Sequence, residues 1–160
     1  MALVTLAEVK LHLNIPESET AHDTELQVFM NAATPKVEYI IGPIDARTVT
    51  ETHNTLGRNV IILRTVPILS ITSVTEYIGE QSFTLTSQPP GTSSTTLYGY
   101  YLNDTNSGLL VRRVSGYTGC FLGAEVKVVY SAGRATVPAD VKLAALDDIR
   151  ALWQQTQVAA

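Results

Sequence analysis

The chain has few cysteines, few charged residues and few histidines, and each shortage excludes a class of function. Cys120 is the single cysteine among 160 residues, which excludes an internal disulfide and a cysteine-based zinc site and fits assembly in a reducing compartment. The three histidines lack the spacing of a helical zinc site. A net charge of −4 and a pI near 5.3 do not have the strong basicity typical of a nucleic-acid-binding protein.

Long apolar runs and catalytic motifs are also missing from the sequence. No run approaches the roughly 18 apolar residues of a membrane-spanning helix, and the N terminus shows no charged segment followed by an apolar run, as an export signal would. The sequence contains neither a nucleophile elbow nor a phosphate-binding loop ending in Gly-Lys-Ser/Thr. We therefore expect no catalytic residues, no metal ion, no cofactor and no membrane partner.

The sequence is instead rich in apolar residues (45%) and in serine and threonine (30 together), a composition typical of a globular protein with much β-structure. Its charges are unevenly placed: residues 1–57 sum to −5, residues 58–134 to +2 and residues 135–160 to −1. Such opposite signs suit head-to-tail packing of copies, because unlike surfaces would meet. Ordinary solvated charge is the alternative explanation.

Capping signals and apolar periodicity predict helices at both ends of the chain. Thr5 and Glu8 form a capping box that begins a short helix, and Asp23 is expected to cap a longer one with an apolar face. Pro35 should kink or split that helix, and Gly42-Pro43 should end it. Pro138 begins a C-terminal helix whose predicted apolar face consists of Val141, Ala144, Ala145, Ile149, Leu152 and Trp153.

Short runs rich in valine, isoleucine, threonine and tyrosine, separated by turn residues, predict strands between these helices. The predicted strands cover residues 49–53, 59–63, 70–77, 82–86, 96–102, 109–113 and 125–130. The predicted fold class is α+β, in which N-terminal helices and a C-terminal helix pack with an inserted, mostly antiparallel β-region. We expect a single domain over residues 1–160, comprising a helical part (1–43), a β-rich region (47–131) and the C-terminal helix (137–156).

Two loops interrupt the predicted β-region. Residues 88–94 contain no apolar side chain, so we expect an exposed loop there. Residues 115–123 form a second, glycine-punctuated loop, and its apolar residues should anchor it to the core. Those residues are Tyr117, Cys120, Phe121 and Leu122.

Tyr98, Tyr100 and Tyr101 form an aromatic cluster on one predicted strand, and Arg112 and Arg113 lie on a strand expected to pair with it. Such a cluster can stack on bases or sugars. A half-buried tyrosine face, or an interface between copies, explains the same pattern. We favour the latter because the β-region carries too little positive charge for nucleic-acid binding.

Three segments, in this order and spacing, resemble tailed-bacteriophage head–tail connector proteins, also called head-completion or adaptor proteins. The opening residues 5–15 (TLAEVKLHLNI), with 23–26, 32–33 and 41–42, resemble the first two helices of that family. Residues 63–74 (LRTVPILSITSV) resemble the segment that begins a strand in that family. Residues 128–133 (VVYSAG), with 138–142 and 144, resemble the C-terminal part of the family, so the similarity extends over nearly the whole chain.

The resemblance implies a structural protein without enzymatic activity. Proteins of this family form a ring, usually of twelve copies, beneath the portal, where they extend the DNA channel and carry the stopper or tail-terminator protein. Double-stranded DNA would pass through without sequence-specific binding, and the protein would lie in the virion neck after assembly in the bacterial cytoplasm. The alternatives are another neck or tail-completion protein, and a β-rich module that binds sugar or single-stranded nucleic acid.

Two groups of residues are the predicted contact sites. The C-terminal helix would meet the portal through Asp147, Asp148, Arg150, Ala151, Trp153, Gln154 and Gln157. The loops and the tyrosine cluster would reach a neighbouring copy, the channel or a tail-side partner. Their candidate residues are Gln88, Pro89, Pro90, Gly91, Tyr98, Tyr100, Tyr101, Arg112, Arg113 and Tyr117.

Overall fold

A computed structural model describes residues 3–55, 57–93 and 95–159, with side chains up to Gln157; Ser94 of the first predicted loop lies outside the described residues. These residues form three helices and eight strands, which confirms the predicted α+β fold class. The chain divides into two compact units. The helical unit comprises residues 1–44 and 136–160, and the strand unit comprises residues 45–135.

The first helix, α1, spans Leu6–His12 and begins as predicted. Glu8 donates its backbone N–H to the Thr5 hydroxyl (3.2 Å), and Thr5 donates its N–H to the Glu8 carboxylate (2.7 Å), which completes the capping box. The buried residues of α1 are Val9 and Lys10, whereas Leu11 is 79% exposed. The helix therefore buries the aliphatic stem of a lysine and leaves a leucine in solvent.

The second helix, α2, spans Asp23–Ile41, and one prediction about it was wrong. Asp23 is the first helical residue rather than the cap, because its carboxylate pairs with Lys10 Nζ at 2.5 Å instead of bonding the helix terminus. Of the two effects predicted for Pro35, the split does not occur, since the helix continues through it, and the kink stays a prediction. Gly42 ends α2 at φ +82°, as the Gly-Pro pair predicts.

The third helix, α3, spans Ala139–Ala159 and packs against α1 and α2. Ala145 and Ile149 are fully buried, but Ala144 is exposed and Leu146 packs inward instead, so the predicted apolar face was partly misplaced. The core of the helical unit consists of Leu3, Val4, Val9, Leu26, Met30, Ala33, Ile44, Ala145 and Ile149.

The strand unit contains one sheet of eight strands, which are β1 Arg47–Asn54, β2 Val60–Ile62, β3 Ile68–Ile78, β4 Gln81–Ser87, β5 Gly99–Asp104, β6 Leu109–Val114, β7 Tyr117–Thr118 and β8 Glu125–Ala132. Seven of them follow the order β1-β8-β3-β4-β5-β6-β2, and β7 pairs with β6. All pairs are antiparallel except β4 with β5. Each of the seven predicted strands exists, and the two-residue β7 was missed because so short a strand has no alternation to detect.

Strand β8 lies between β1 and β3 in the sheet and contributes four residues to the core of the strand unit. Val126, Val128 and Tyr130 are completely buried on one face, as strict alternation predicts. Of the four predicted anchors between β6 and β8, only Phe121 is buried. The other three, Tyr117, Cys120 and Leu122, are exposed, because backbone hydrogen bonds such as that from the Phe121 N–H to the Arg58 carbonyl hold this segment without them.

Candidate functional surfaces

Two aspartates of α3 connect this helix to the other helices. Asp147 Oδ1 lies 3.1 Å from His12 Nε2, and Asp148 Oδ2 lies 3.1 Å from Lys36 Nζ. Both contacts are exposed, and each joins α3 to a different helix. The two predicted portal-interface aspartates therefore already have partners within the helical unit.

The remaining candidates on α3 divide by burial. Trp153 packs against the core of the helical unit, and its ring meets the His22 ring edge-on at 4.9 Å. The other four residues are exposed and recur at the spacing of one helix face. This set, which we call the α3 face, consists of Arg150, Ala151, Gln154 and Gln157.

The structure brings the two candidate loops of the strand unit together. Residues 91–93 of the β4–β5 loop and residues 115–117 of the β6–β7 turn line one open cavity of about 350 Å³. Arg113 also lines it, donates a hydrogen bond to the Gly116 carbonyl and places its guanidinium carbon 5.5 Å from the Tyr101 ring centre. We call this exposed region, with Pro89 and Pro90, the two-loop surface.

Three of the predicted loop and strand residues are buried and cannot meet a partner. Gln88 was expected in an exposed loop, but its side chain lies against Gly99 and donates to the Thr96 carbonyl at 3.3 Å. Tyr100 is 8% exposed, and burial raises the pKa of its phenol. Arg112 is completely buried.

The tyrosine cluster is used within the fold. The Tyr98 ring stacks on Phe83 at 4.7 Å with the planes 4° apart, and the Arg112 guanidinium lies 5.7 Å from its centre. The predicted pairing of the two strands is confirmed, with Tyr100 opposite Arg112. A ladder of exposed rings is therefore absent from the described strands, which removes the main support for the sugar or single-stranded nucleic-acid alternative.

A buried ion pair between Glu76 and Arg112 was not anticipated from the sequence. Arg112 Nη2 donates to Glu76 Oε2 at 3.1 Å, and Glu76 Oε1 accepts the backbone N–H groups of Leu122 and Gly123. This pair therefore fixes the loop that precedes β8. The position of Glu76 in the sequence could have indicated its burial, because it lies two residues after the buried Val74 and therefore on the inward face of β3.

Edge strands β1 and β2 flank a slot of about 360 Å³. At one end, Glu51 of β1 accepts hydrogen bonds from the Arg64 backbone N–H (3.1 Å) and from the Tyr130 hydroxyl, and lies 2.9 Å from His53 Nε2. Burial would raise the pKa of Glu51, but these bonds outweigh it and lower that pKa. The slot is lined by His53, Asn54, Arg58, Val60, Ile61, Ile62 and Arg64.

A buried lysine organises the turn between α1 and α2. Lys10 Nζ donates to the carbonyls of Glu17 (3.2 Å) and Glu19 (2.6 Å) and pairs with Asp23. With these bonds Lys10 holds the backbone of residues 17–20, whose side chains are exposed. The turn therefore presents an ordered acidic surface, which the sequence showed only as a polar loop.

The described residues contain no cluster of three histidine, cysteine, aspartate or glutamate side chains that could hold a metal ion. In the same residues, no helix is long and apolar enough to cross a membrane. Cys120 is exposed and free, contrary to the expectation of an anchored residue.

Comparison with known proteins gives one family. The family model described as head completion protein matches residues 2–157, which is nearly the entire chain. No curated protein matches the chain. The match covers both the helical unit and the strand unit.

Proposed function

Because the chain belongs to the head completion protein family, whose members are structural phage proteins, we propose that copies of it form a ring, usually of twelve, beneath the portal. The ring extends the DNA channel of the neck and carries the stopper or tail-terminator protein. Assembly takes place in the bacterial cytoplasm. The observation that carries this proposal is the family match over residues 2–157, with which the α+β fold agrees.

The α3 face is the portal contact in this proposal. Its four residues are exposed, whereas the remaining candidates on α3 already bind α1, α2 or the core. A surface formed by one arginine, one alanine and two glutamines can make hydrogen bonds without burying an uncompensated carboxylate. Docking through this face leaves the ion pairs of Asp147 and Asp148 in place.

The two-loop surface contacts the neighbouring copy, the channel or the tail-side partner. Its exposed part offers proline rings and the hydroxyl groups of Thr92 and Ser93, while Arg113 is half-buried and bonded within the fold. Contacts between cations and phosphates create affinity for DNA, so a hydroxyl surface lets a duplex slide past.

Co-sedimentation with the portal tests this assignment. Truncation before residue 147 would remove Ile149 from the core, so point variants are required. We expect Arg150→Glu combined with Gln154→Glu to abolish co-sedimentation while the circular dichroism spectrum stays unchanged. The matched control, Lys127→Glu combined with Thr105→Glu at exposed positions of the strand unit, makes the same change of net charge and should bind like the unaltered chain. Full binding by the α3-face variant would contradict the portal assignment.

A further inference from the structure

Two patches of opposite charge remain on the chain, one in each unit, and neither belongs to the α3 face or the two-loop surface. The first is the slot between β1 and β2. Arg58 and Arg64 are exposed at this slot, and within the described residues neither guanidinium forms an ion pair or a hydrogen bond. Ile62, on the same slot, is 62% exposed, so the slot combines two free cations with one apolar side chain.

The second patch belongs to the helical unit. A cavity of about 310 Å³ is lined by three apolar residues, Ala7, Leu11 and Ile15, together with Glu8, Glu17 and Lys10, whose ammonium is paired with Asp23. The Glu17 and Glu19 side chains are exposed on the turn that Lys10 holds in place, and the Glu19 carboxylate accepts the Ala21 N–H at 2.9 Å. This patch therefore combines an apolar hollow with carboxylates whose backbone positions are fixed.

The net charges of the two units are also opposite in sign. The helical unit carries four basic and nine acidic residues, a net charge of −5, whereas the strand unit carries seven basic and six acidic residues, a net charge of +1. A long-range attraction therefore favours contact between the helical unit of one copy and the strand unit of another.

We propose that these two patches form the contact between neighbouring copies. Arg58 and Arg64 of one copy pair with Glu17 and Glu19 of the next, and Ile62 packs into the hollow beside Leu11. This inference rests on the proposed ring and names the surface that would build it. The two patches differ, so the contact is heterologous, and a heterologous contact closes into a ring when its rotation allows.

A second copy fits this slot better than nucleic acid does. Ile62 gives the slot an apolar centre, which phosphates do not complement. The Glu51 carboxylate accepts the Arg64 backbone N–H and offsets part of the positive charge at the slot, so the slot lacks the strong cationic potential that binding of a phosphate backbone requires. The complementary acidic patch lies on this same chain.

Disulfide trapping tests the contact directly. In a Cys120→Ser background, a chain carrying Ser18→Cys is mixed with a chain carrying Asn59→Cys, so that each new thiol lies beside the proposed charges and removes none of them. We expect mixed dimers to form at least about tenfold faster than with the matched control pair Ser18→Cys and Thr105→Cys, because the docked contact raises the effective concentration of the two thiols.

Charge reversal provides the second readout. Arg58→Glu with Arg64→Glu should slow trapping about tenfold or more, because two attractive pairs become repulsive. A partner chain carrying Glu17→Lys and Glu19→Lys should restore the rate, and only specific pairing gives that rescue. Circular dichroism of each variant confirms that it is folded.

The outcomes separate this inference from the proposed ring. Sedimentation velocity of the unaltered chain, alone and with the portal, reports whether a ring forms. A ring that forms without the disulfide between positions 18 and 59, or without rescue by the charge-reversed partner, overturns the surface assignment but not the proposed ring. If neither the ring nor the disulfide forms, both the proposed ring and the surface assignment are contradicted. Binding of duplex DNA that the Arg58→Glu and Arg64→Glu changes abolish would also overturn the assignment.

Discussion

Glu76 Oε2 accepts a hydrogen bond from Arg112 Nη2 at 3.1 Å, and both side chains have no solvent exposure. The other Glu76 oxygen holds the backbone of Leu122 and Gly123, and Arg112 Nη1 donates to the carbonyls of Leu97 (2.8 Å) and Gly99 (3.2 Å). One ion pair therefore connects β3, the start of β5, β6 and the loop before β8. Glu76 thereby contributes to the position of that loop, which the hydrogen bond from the Phe121 N–H to the Arg58 carbonyl also holds.

Removing one member of this pair should destabilise the strand unit strongly. Arg112→Leu leaves the Glu76 carboxylate buried without its cation, at an expected loss of about 3–5 kcal/mol in the free energy of unfolding. Urea denaturation measures this loss. Arg58→Leu, which removes an exposed arginine, is the control and should change stability by less than about 0.5 kcal/mol. Equal effects of the two substitutions would show that the buried pair contributes no more than surface charge.

The capping box of α1 should make the helical unit sensitive to acid. The hydrogen bond from Lys142 and those from Thr5 lower the pKa of Glu8 from 4.5 to about 2. Because the folded state holds the carboxylate ionised, this stabilisation is complete above about pH 4.5 and disappears as the pH falls towards 2.

Glu8→Gln measures that contribution. The side chain is 37% exposed, so screening by solvent reduces the expected loss at pH 7 to about 1 kcal/mol. The difference from the unaltered chain should shrink between pH 4.5 and pH 2 in urea titrations. Glu80→Gln, in an exposed turn, is the matched control and should show no such convergence. A difference that stays constant down to pH 2 would contradict the assigned pKa.

The hydroxyl of Tyr130 joins β8 to the edge of the sheet. It donates to Glu51 and accepts the backbone N–H of Thr65 at 3.1 Å, and burial together with the Glu51 bond raises the pKa of the phenol. Tyr130→Phe leaves the Thr65 N–H without its acceptor and removes one of the hydrogen bonds to Glu51, which should cost about 1–3 kcal/mol. Tyr117→Phe, on an exposed ring, should change the unfolding free energy negligibly. Hydrogen exchange at the Thr65 amide should accelerate only in the first variant.

Local patterns in the sequence predicted most of the fold. The Thr5–Glu8 box, the Gly42 stop and the alternation through Tyr130 depend on neighbours a few residues apart, and each was confirmed. The Asp23 cap failed because a distant residue, Lys10, competes for its carboxylate. Gln88 was wrongly predicted to be exposed, because composition alone does not reveal that its side chain fills the space left by the missing side chain of Gly99.

The candidate surfaces were predictable only in outline. The sequence offered the two loops as separate possibilities, and the long-range pairing of β4, β5 and β6 is what brings them to one cavity. Burial removed Arg112, Tyr100 and Gln88 from the predicted contact set. The Glu76 pair involves residues 36 positions apart, a separation at which the sequence carries no periodic signal.

Imaging shows directly whether copies of the protein associate around a pore. Electron micrographs of the portal, alone and mixed with this protein, are averaged along the ring axis. We expect an additional layer on the portal, with twelve equivalent copies around an open channel. A complex that gains no layer, or that binds single copies without a pore, would contradict the proposed ring.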